Sequence, residues 1–453
     1  MREELFEKAP IPKAVVSLAL PTMIGMIVTV VYNMADTFFV GRLNDANQVA
    51  AVSITMPVFL LLMAMGNMFG VGGGSYISRL LGKKDKEKTK KVSAFCFYGA
   101  IIIGVICIAF ALIFMPQICT LAGASVNTYG FANDYLTVIS YGAPAVILSF
   151  ALGQIVRAEG AATQSLKGMM LGTVLNIILD PILIIVLGYG VKGAAIATIF
   201  ANVVSVLYYA FYIIKKSQVL SIAYKDFSLN GDIIKNIFTI GIPASLNNML
   251  MSFAAIILNN FAMPYGENVV AALGVVSKAS MLPAMLCVGL ATGIQPLVAY
   301  NYSSGNLKRM KNIIKFAAII STTIGCVGTT VLFIGSNGII KGFINDPQVI
   351  ELGSLFIKMS ILGLPVVGIQ MILINTFQAM GKAKPSLILS LCRQGLVYIP
   401  MLFLLNKFVG QNGLSLAQSV ADIGSAALAA TIFIIIMKKE SNVQGLEETE
   451  LSY

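Results

Sequence analysis

Apolar residues run along this chain in stretches of twenty or more, separated by short segments rich in Lys, Arg, Gly and Asp. A helix needs about 20 apolar residues to cross a hydrocarbon core roughly 30 Å thick. Twelve stretches of that kind lie near 14–40, 49–77, 92–115, 131–156, 167–187, 193–214, 236–262, 269–300, 314–335, 351–377, 386–405 and 413–437. Little chain is left between them, so no sizeable soluble domain is expected. The pattern predicts an all-α integral membrane protein with twelve transmembrane helices. Composition agrees: 57% of residues are hydrophobic and 11% charged, where soluble domains run near about 25% charged.

The net charge of +11 would suit a nucleic-acid binder if it were clustered, but its placement follows the predicted helices. The N-terminal segment, the even-numbered loops and the C-terminus hold 24 of the 31 Lys and Arg, against 4 in the odd-numbered loops. Basic residues gather on the cytoplasmic side of a membrane, so both termini are expected inside. The charge therefore encodes topology, and no nucleic-acid partner is expected. The chain has no histidine, which excludes His-based acid–base catalysis and His metal sites. Its six cysteines are scattered without a CxxC and read as small buried apolar residues.

The two halves repeat each other at an offset of 220 to 223 residues. Pro21 answers Pro243, Asn47 answers Asn268, and Tyr141-Gly142-Ala143-Pro144 answers Leu362-Gly363-Leu364-Pro365. Arg157-Ala158-Glu159-Gly160 answers Gln378-Ala379-Met380-Gly381, and Gly190 and Gly193 answer Gly410 and Gly413. Six helices per copy give both copies the same orientation, so the repeats are parallel and related by an axis along the membrane normal. This predicts two six-helix bundles, 1–225 and 226–453, facing a central cleft. Rocking such bundles gives alternating access, the behaviour of a transporter and not of an enzyme.

Ionisable groups inside spans cost at least about 2.5–3.5 kcal/mol each and are functional candidates by default. Asp36 has Tyr32 and Asn33 four and three residues before it, on the same helical face. Asn176 and Asp180 form a second i, i+4 pair, and Pro181 denies the Ile177 carbonyl its hydrogen bond. A carboxylate, an amide and a freed carbonyl make a ligand set for Na⁺, while a lone carboxylate can instead carry a proton. The matching positions of the second half are the apolar Leu258 and Met401, so the acids belong to the first copy alone. In the second half Lys278, Lys358, Arg393 and Asp422 fall within hydrophobic segments, and Lys278 and Arg393 are candidates for a cavity there. Glu159 stands beside Arg157 and reads as an exposed pair. Met63, Met65, Met68, Met249, Met251, Met281 and Met285 supply flexible thioethers suited to varied apolar ligands.

These segments, taken in order, resemble the multidrug and toxic compound extrusion (MATE) transporters along essentially the whole chain. The resemblance rests on 18–43 with Pro21 and Asp36, on 49–83 with FGVGGGSYISRLLGKKD running from 69 on to 85, on RAEG within 154–160, on NIILDPI within 175–182 and on GVKGAAIATIFAN over 190–202. It looks closest to the bacterial multidrug-export branch that contains the DinF-like proteins. The resemblance implies a V-shaped pair of six-helix bundles in the bacterial plasma membrane, monomeric, exporting bulky and often cationic drugs. Export would be driven by inward Na⁺ or H⁺, with no other cofactor. It further implies a cation site at Asp36, Asn176, Asp180 and Thr198, the last known only from the resemblance, with Tyr32, Asn33 and Asn202 bordering that site or the substrate cavity. The acidic residue that other branches carry in helix seven has no counterpart among residues 252–263.

A lipid-linked precursor flippase is the alternative, and it would need a strongly basic cavity, for which only Lys278 and Arg393 are available. A two-aspartate intramembrane protease would need a GxGD-like element, which neither Asp36 nor Asp180 carries. A passive channel would not need an acid pair confined to one half.

Overall fold

The structure, a computed structural model, describes the backbone of residues 2–41, 45–343 and 346–450. The side chains of 2, 3, 36–38, 40, 41, 46, 248, 252 and 441–450 lie outside the described residues. The first half contains α1 (Arg2–Glu7), α2 (Ile11–Gly41), α3 (Ala46–Gly82), α4 (Lys86–Ala122), α5 (Tyr129–Tyr141), α6 (Ala143–Ala158), α7 (Ala162–Asp180) and α8 (Gly190–Lys216). The second contains α9 (Gly231–Ala262), α10 (Glu267–Ser303), α11 (Leu307–Phe343), α12 (Pro347–Ser360), α13 (Leu364–Ala379), α14 (Ala383–Leu391), α15 (Tyr398–Val409) and α16 (Gln411–Glu450). A π-helical segment follows α7 at Pro181–Val186, and another joins α14 to α15 at Cys392–Leu396.

Among the described residues ten helices are long and apolar enough to cross a membrane. Two bent pairs, α5 with α6 at 55° and α12 with α13 at 49°, bring the number to twelve. The helices overrun the apolar windows at both ends, because a helix can continue into water once its first N–H groups find acceptors. Asp85 accepts from the Lys88 amide at 2.9 Å, and Asp346 accepts from those of Gln348 and Val349 at 2.9 and 3.1 Å.

Both bends fall on the repeated Gly-x-Pro elements, and each has a glycine waiting for it. A Cβ on Gly104 of α4 would lie 2.5 Å from the Pro144 Cα, and one on Gly325 of α11 would lie 2.6 Å from the Pro365 Cα. Gly104 and Gly325 are themselves 221 residues apart, so the repeat preserves the bend together with the gap that receives it.

The chain forms two compact units, residues 1–5 with 20–249 and residues 6–19 with 250–453. The first therefore includes the opening half of α9, and the second the opening third of α2. In the first unit α6 is central, packed on α3, α4 and α8, with Ile147, Leu152, Ile155 and Val156 all fully buried. In the second, α13 holds the equivalent place against α10, α11 and α16, with Ile372 and Phe377 fully buried. Large apolar side chains such as Phe110, Ile113, Ile334, Phe408 and Ile435 stand exposed along the spans, as lipid-facing residues must.

Candidate functional site

The polar groups of the first unit meet where α7 lies against α8. Asp180 is the last residue of α7 and is completely buried, and Asn176, one turn before it, is 1% exposed. With the Asn176 amide oriented to suit its neighbours, its nitrogen donates to Asp180 Oδ2 at 3.0 Å and its oxygen accepts from the Thr198 amide at 3.1 Å. Thr198 is itself buried on α8, and its carbonyl accepts from Asn202 Nδ2 at 2.8 Å. The Ser149 hydroxyl of α6 donates to Asn202 Oδ1. A continuous hydrogen-bonded chain thus runs Ser149–Asn202–Thr198–Asn176–Asp180 through three helices.

Local sequence explains why Asp180 stands where it does. Pro181 cannot continue the α-helical ladder, and the backbone widens into the π segment immediately after the carboxylate. A π turn shifts the phase of the residues beyond it, so Asp180 sits at the end of the regular face that carries Asn176. A carboxylate enclosed within a membrane span favours a neutralising cation or proton, because burying negative charge there is costly.

Four of the predicted site residues, Asn176, Asp180, Thr198 and Asn202, are therefore brought together. The Asp36 side chain lies outside the described residues, although its backbone is helical within α2. Helix α2 does run beside α7. The Thr29 hydroxyl lies 4.0 Å from the Met169 sulfur, and a Cβ on Gly25 would meet Met169 at 2.6 Å. Seven residues beyond Thr29 is Asp36, and seven beyond Met169 is Asn176. Tyr32 and Asn33 on that stretch are half-buried.

In the second unit, Lys278 is exposed on α10. Arg393 instead donates from Nε to Asp422 Oδ1 at 2.9 Å, with the two side chains only 11% and 5% exposed. Lys358 stands over the Phe333 ring at 5.4 Å and borders a cavity of about 530 Å³ with Asn337, Gln348, Glu351 and Ser354. One expectation needs correcting. Glu159 and Arg157 are not an exposed pair: they are 1% and 7% exposed, and Glu159 accepts from Tyr212 of α8 and, at 2.7 Å, from the Ser217 hydroxyl. The RAEG element ends the central helix α6, so its charged residues are enclosed by α8 and the chain after it. Ser149 and Gln418, which donates to Asp422 Oδ1 at 3.1 Å, were not foreseen. Gln418 could have been found, since it precedes Asp422 by one helical turn. Ser149 carries no such mark.

The MatE family pattern matches the chain twice, over residues 21–182 and again over 243–404. The chain belongs to the MATE transporter family. The two matches have the same length and are 222 residues apart, which is the internal repeat. Relatives within the family include the multidrug export protein MepA of Staphylococcus aureus strain MRSA252, 38% identical over 445 residues covering 98% of each chain. The MepA protein of Staphylococcus saprophyticus is 37% identical over the same span. Among solved structures, an outward-facing multidrug resistance MATE transporter superposes with a TM-score of 0.92 at 28% identity, covering 97% of this chain and 98% of that one. A MATE protein in the bent conformation gives 0.91 at 27% identity over 98% and 99%. As a MATE member this chain is a membrane transporter, and its all-helical fold is the family's.

Proposed function

We propose that this protein exports bulky organic cations across the bacterial plasma membrane in exchange for Na⁺ or H⁺, with both termini cytoplasmic and the monomer as the working unit. The coupling cation binds at Asp180, Asn176 and Thr198, joined by Asp36 of α2, with Tyr32, Asn33 and Asn202 around it. The observation that carries this reading is the fully buried Asp180 carboxylate at the end of the α7–α8 hydrogen-bond chain. A group of that kind is retained inside a membrane span only if something compensates its charge. The name of this chain's relatives, multidrug export protein MepA, supports drug-like small molecules as the substrate class.

Exchange requires that drug and cation each favour a different arrangement of the protein, because a ligand shifts an equilibrium only by its difference in affinity between states. A cation drawing Asp36 toward Asp180 would change how α2 lies on α7, and α2, like α9, has its two ends in different units. The flippase alternative is not favoured: of the two basic residues expected to line a cavity, Lys278 is exposed and Arg393 is already bound to Asp422.

The test is dye transport in liposomes with Na⁺ and H⁺ gradients imposed separately. Wild type is expected to move a fluorescent cationic dye against its gradient with at least one of the two ions. Asp180→Asn removes the charge with little change of volume and should lower that uptake about 100-fold or more while leaving the protein in the membrane. Unimpaired transport by Asp180→Asn would refute the site, and transport with neither gradient would refute the coupling.

A further inference from the structure

The internal repeat carries a second polar cluster, and its charges are arranged the other way round. The offset of 220 that aligns Gly190 and Gly193 with Gly410 and Gly413 also aligns Thr198 with Gln418 and Asn202 with Asp422. In the first unit this helical pair is neutral, and the span before it supplies the carboxylate Asp180. In the second unit the pair itself holds the carboxylate, and the span before it supplies a cation, Arg393. Each of those preceding spans breaks into a π segment at its charged residue, after Asp180 in one and around Arg393 in the other. Asp422 is enclosed on every side. Arg393 Nε and Gln418 Nε2 both donate to its Oδ1, and the start of α13 presses on it so closely that a Cβ on Gly363 would lie 2.9 Å from the Asp422 Cβ. Tyr398 and Cys287 also lie within electrostatic reach of the pair.

We infer that Arg393 is a tethered cation. It fills, in the second unit, the place that the exchangeable coupling cation fills in the first, so the protein binds one coupling cation and not two. The inference rests on the cation site proposed above. Its physical basis is charge balance. A carboxylate as enclosed as Asp422 must be neutralised by a partner, a metal ion or a proton. A guanidinium stays protonated at every physiological pH and is covalently held, so it neutralises Asp422 permanently and no gradient can displace it. The second bundle is thereby insensitive to the ion that moves the first. Removing the guanidinium should unmask a second site made of Asp422 and Gln418, open to Na⁺ or to a proton.

The experiment counts cations on the purified full-length protein as ²²Na⁺ bound at saturation plus the protons bound in excess of an Asp180→Asn, Asp422→Asn reference over the same titration, so that the other titratable groups cancel. Wild type should bind one cation per chain. Asp180→Asn should bind none, Arg393→Gln two, and Arg393→Gln with Asp422→Asn one. A count for Arg393→Gln equal to that of wild type overturns the inference. So does a residual cation in Asp180→Asn that disappears on adding Asp422→Asn, a measurement that leaves Arg393 in place and does not depend on the Arg393 variants folding. The first-unit site is read separately, from the wild-type count and its loss in Asp180→Asn, so a failure there is distinguishable from a failure here. Arg393→Lys, which keeps the tethered charge, should bind as wild type does.

Discussion

Glu159 tests how much a single buried charge matters away from the Asp180 cluster. Its carboxylate accepts from the Tyr212 and Ser217 hydroxyls at the end of α6. Hydrogen bonds to a charged acceptor contribute about 1.5–3 kcal/mol, and a buried donor left without its acceptor costs about 1–3 kcal/mol. Glu159→Gln keeps one acceptor oxygen and should lose about 1–3 kcal/mol, whereas Glu159→Leu strands both hydroxyls and should lose more. Thermal melts in detergent, followed by tryptophan-independent dye fluorescence, would order the two variants, and equal melting temperatures for wild type and Glu159→Leu would contradict this role. The residue also shows the limit of reading the chain alone. Adjacent opposite charges at a helix end look solvated, and only the packing of α8 over that end reveals that they are buried. The pairing of Asn176 with Asp180 was legible because two polar residues at i, i+4 share a face of an otherwise apolar helix, and the structure brings them within hydrogen-bond distance. Thr198 and Asn202 needed the family resemblance. Ser149 was invisible, since a lone serine in an apolar span bonds its own helix as easily as a neighbouring one.

At the scale of elements, the bends were present in the sequence as repeated motifs, but their meaning was not. Tyr141-Gly142-Ala143-Pro144 and Leu362-Gly363-Leu364-Pro365 marked the duplication, and the structure turns both into helix breaks of similar angle. The helices are apolar nearly all round, so no stripe announces which face meets a partner, and the contact of Gly104 with Pro144 could not be read. That contact makes a prediction. Gly104→Ala and Gly325→Ala each drive a methyl into the backbone of a proline, at 2.5 and 2.6 Å, and should destabilise by about 1–3 kcal/mol through overpacking. Gly274 on α10 meets nothing within 4 Å, so Gly274→Ala should instead gain about 0.5–1 kcal/mol from helix propensity. If all three substitutions shifted the melting temperature in the same direction, the close approach would not be what holds the bends. The π segments were foreseen only in part: Pro181 predicted a disturbance after Asp180, and no proline marks the one at Arg393.

At the scale of the whole molecule, the sequence repeat and the compact units do not divide the chain at the same places. The repeat begins anew near α9, but residues 231–249 of that helix are part of the first unit. Their contacts there are extensive. Ile233 and Ile237 are buried in its core, and Phe238 meets Phe69 edge-on at 5.7 Å. The Ser245 hydroxyl donates to the Ala64 carbonyl at 2.7 Å, and Asp232 pairs with Lys88 at 2.6 Å while accepting from Tyr76. Truncating one buried Ile alone costs about 2–5 kcal/mol, and a domain's whole stability is about 5–15 kcal/mol. A fragment ending at residue 225 should therefore be far less stable than one ending at 249, although the shorter fragment contains a complete copy of the repeat. Limited trypsinolysis of the two fragments, each purified in detergent, would show it: 1–249 should persist and 1–225 should be digested. Supplying 226–453 on a second plasmid should protect 1–225, because that chain returns the missing half-helix. Equal resistance of the two fragments without the second chain would mean that the repeat, and not the packed unit, is what folds. The distinction bears on transport, since α2 and α9 each begin in one unit and end in the other. A cation acting on α2 near Asp36 would then act on a helix already shared between the two units.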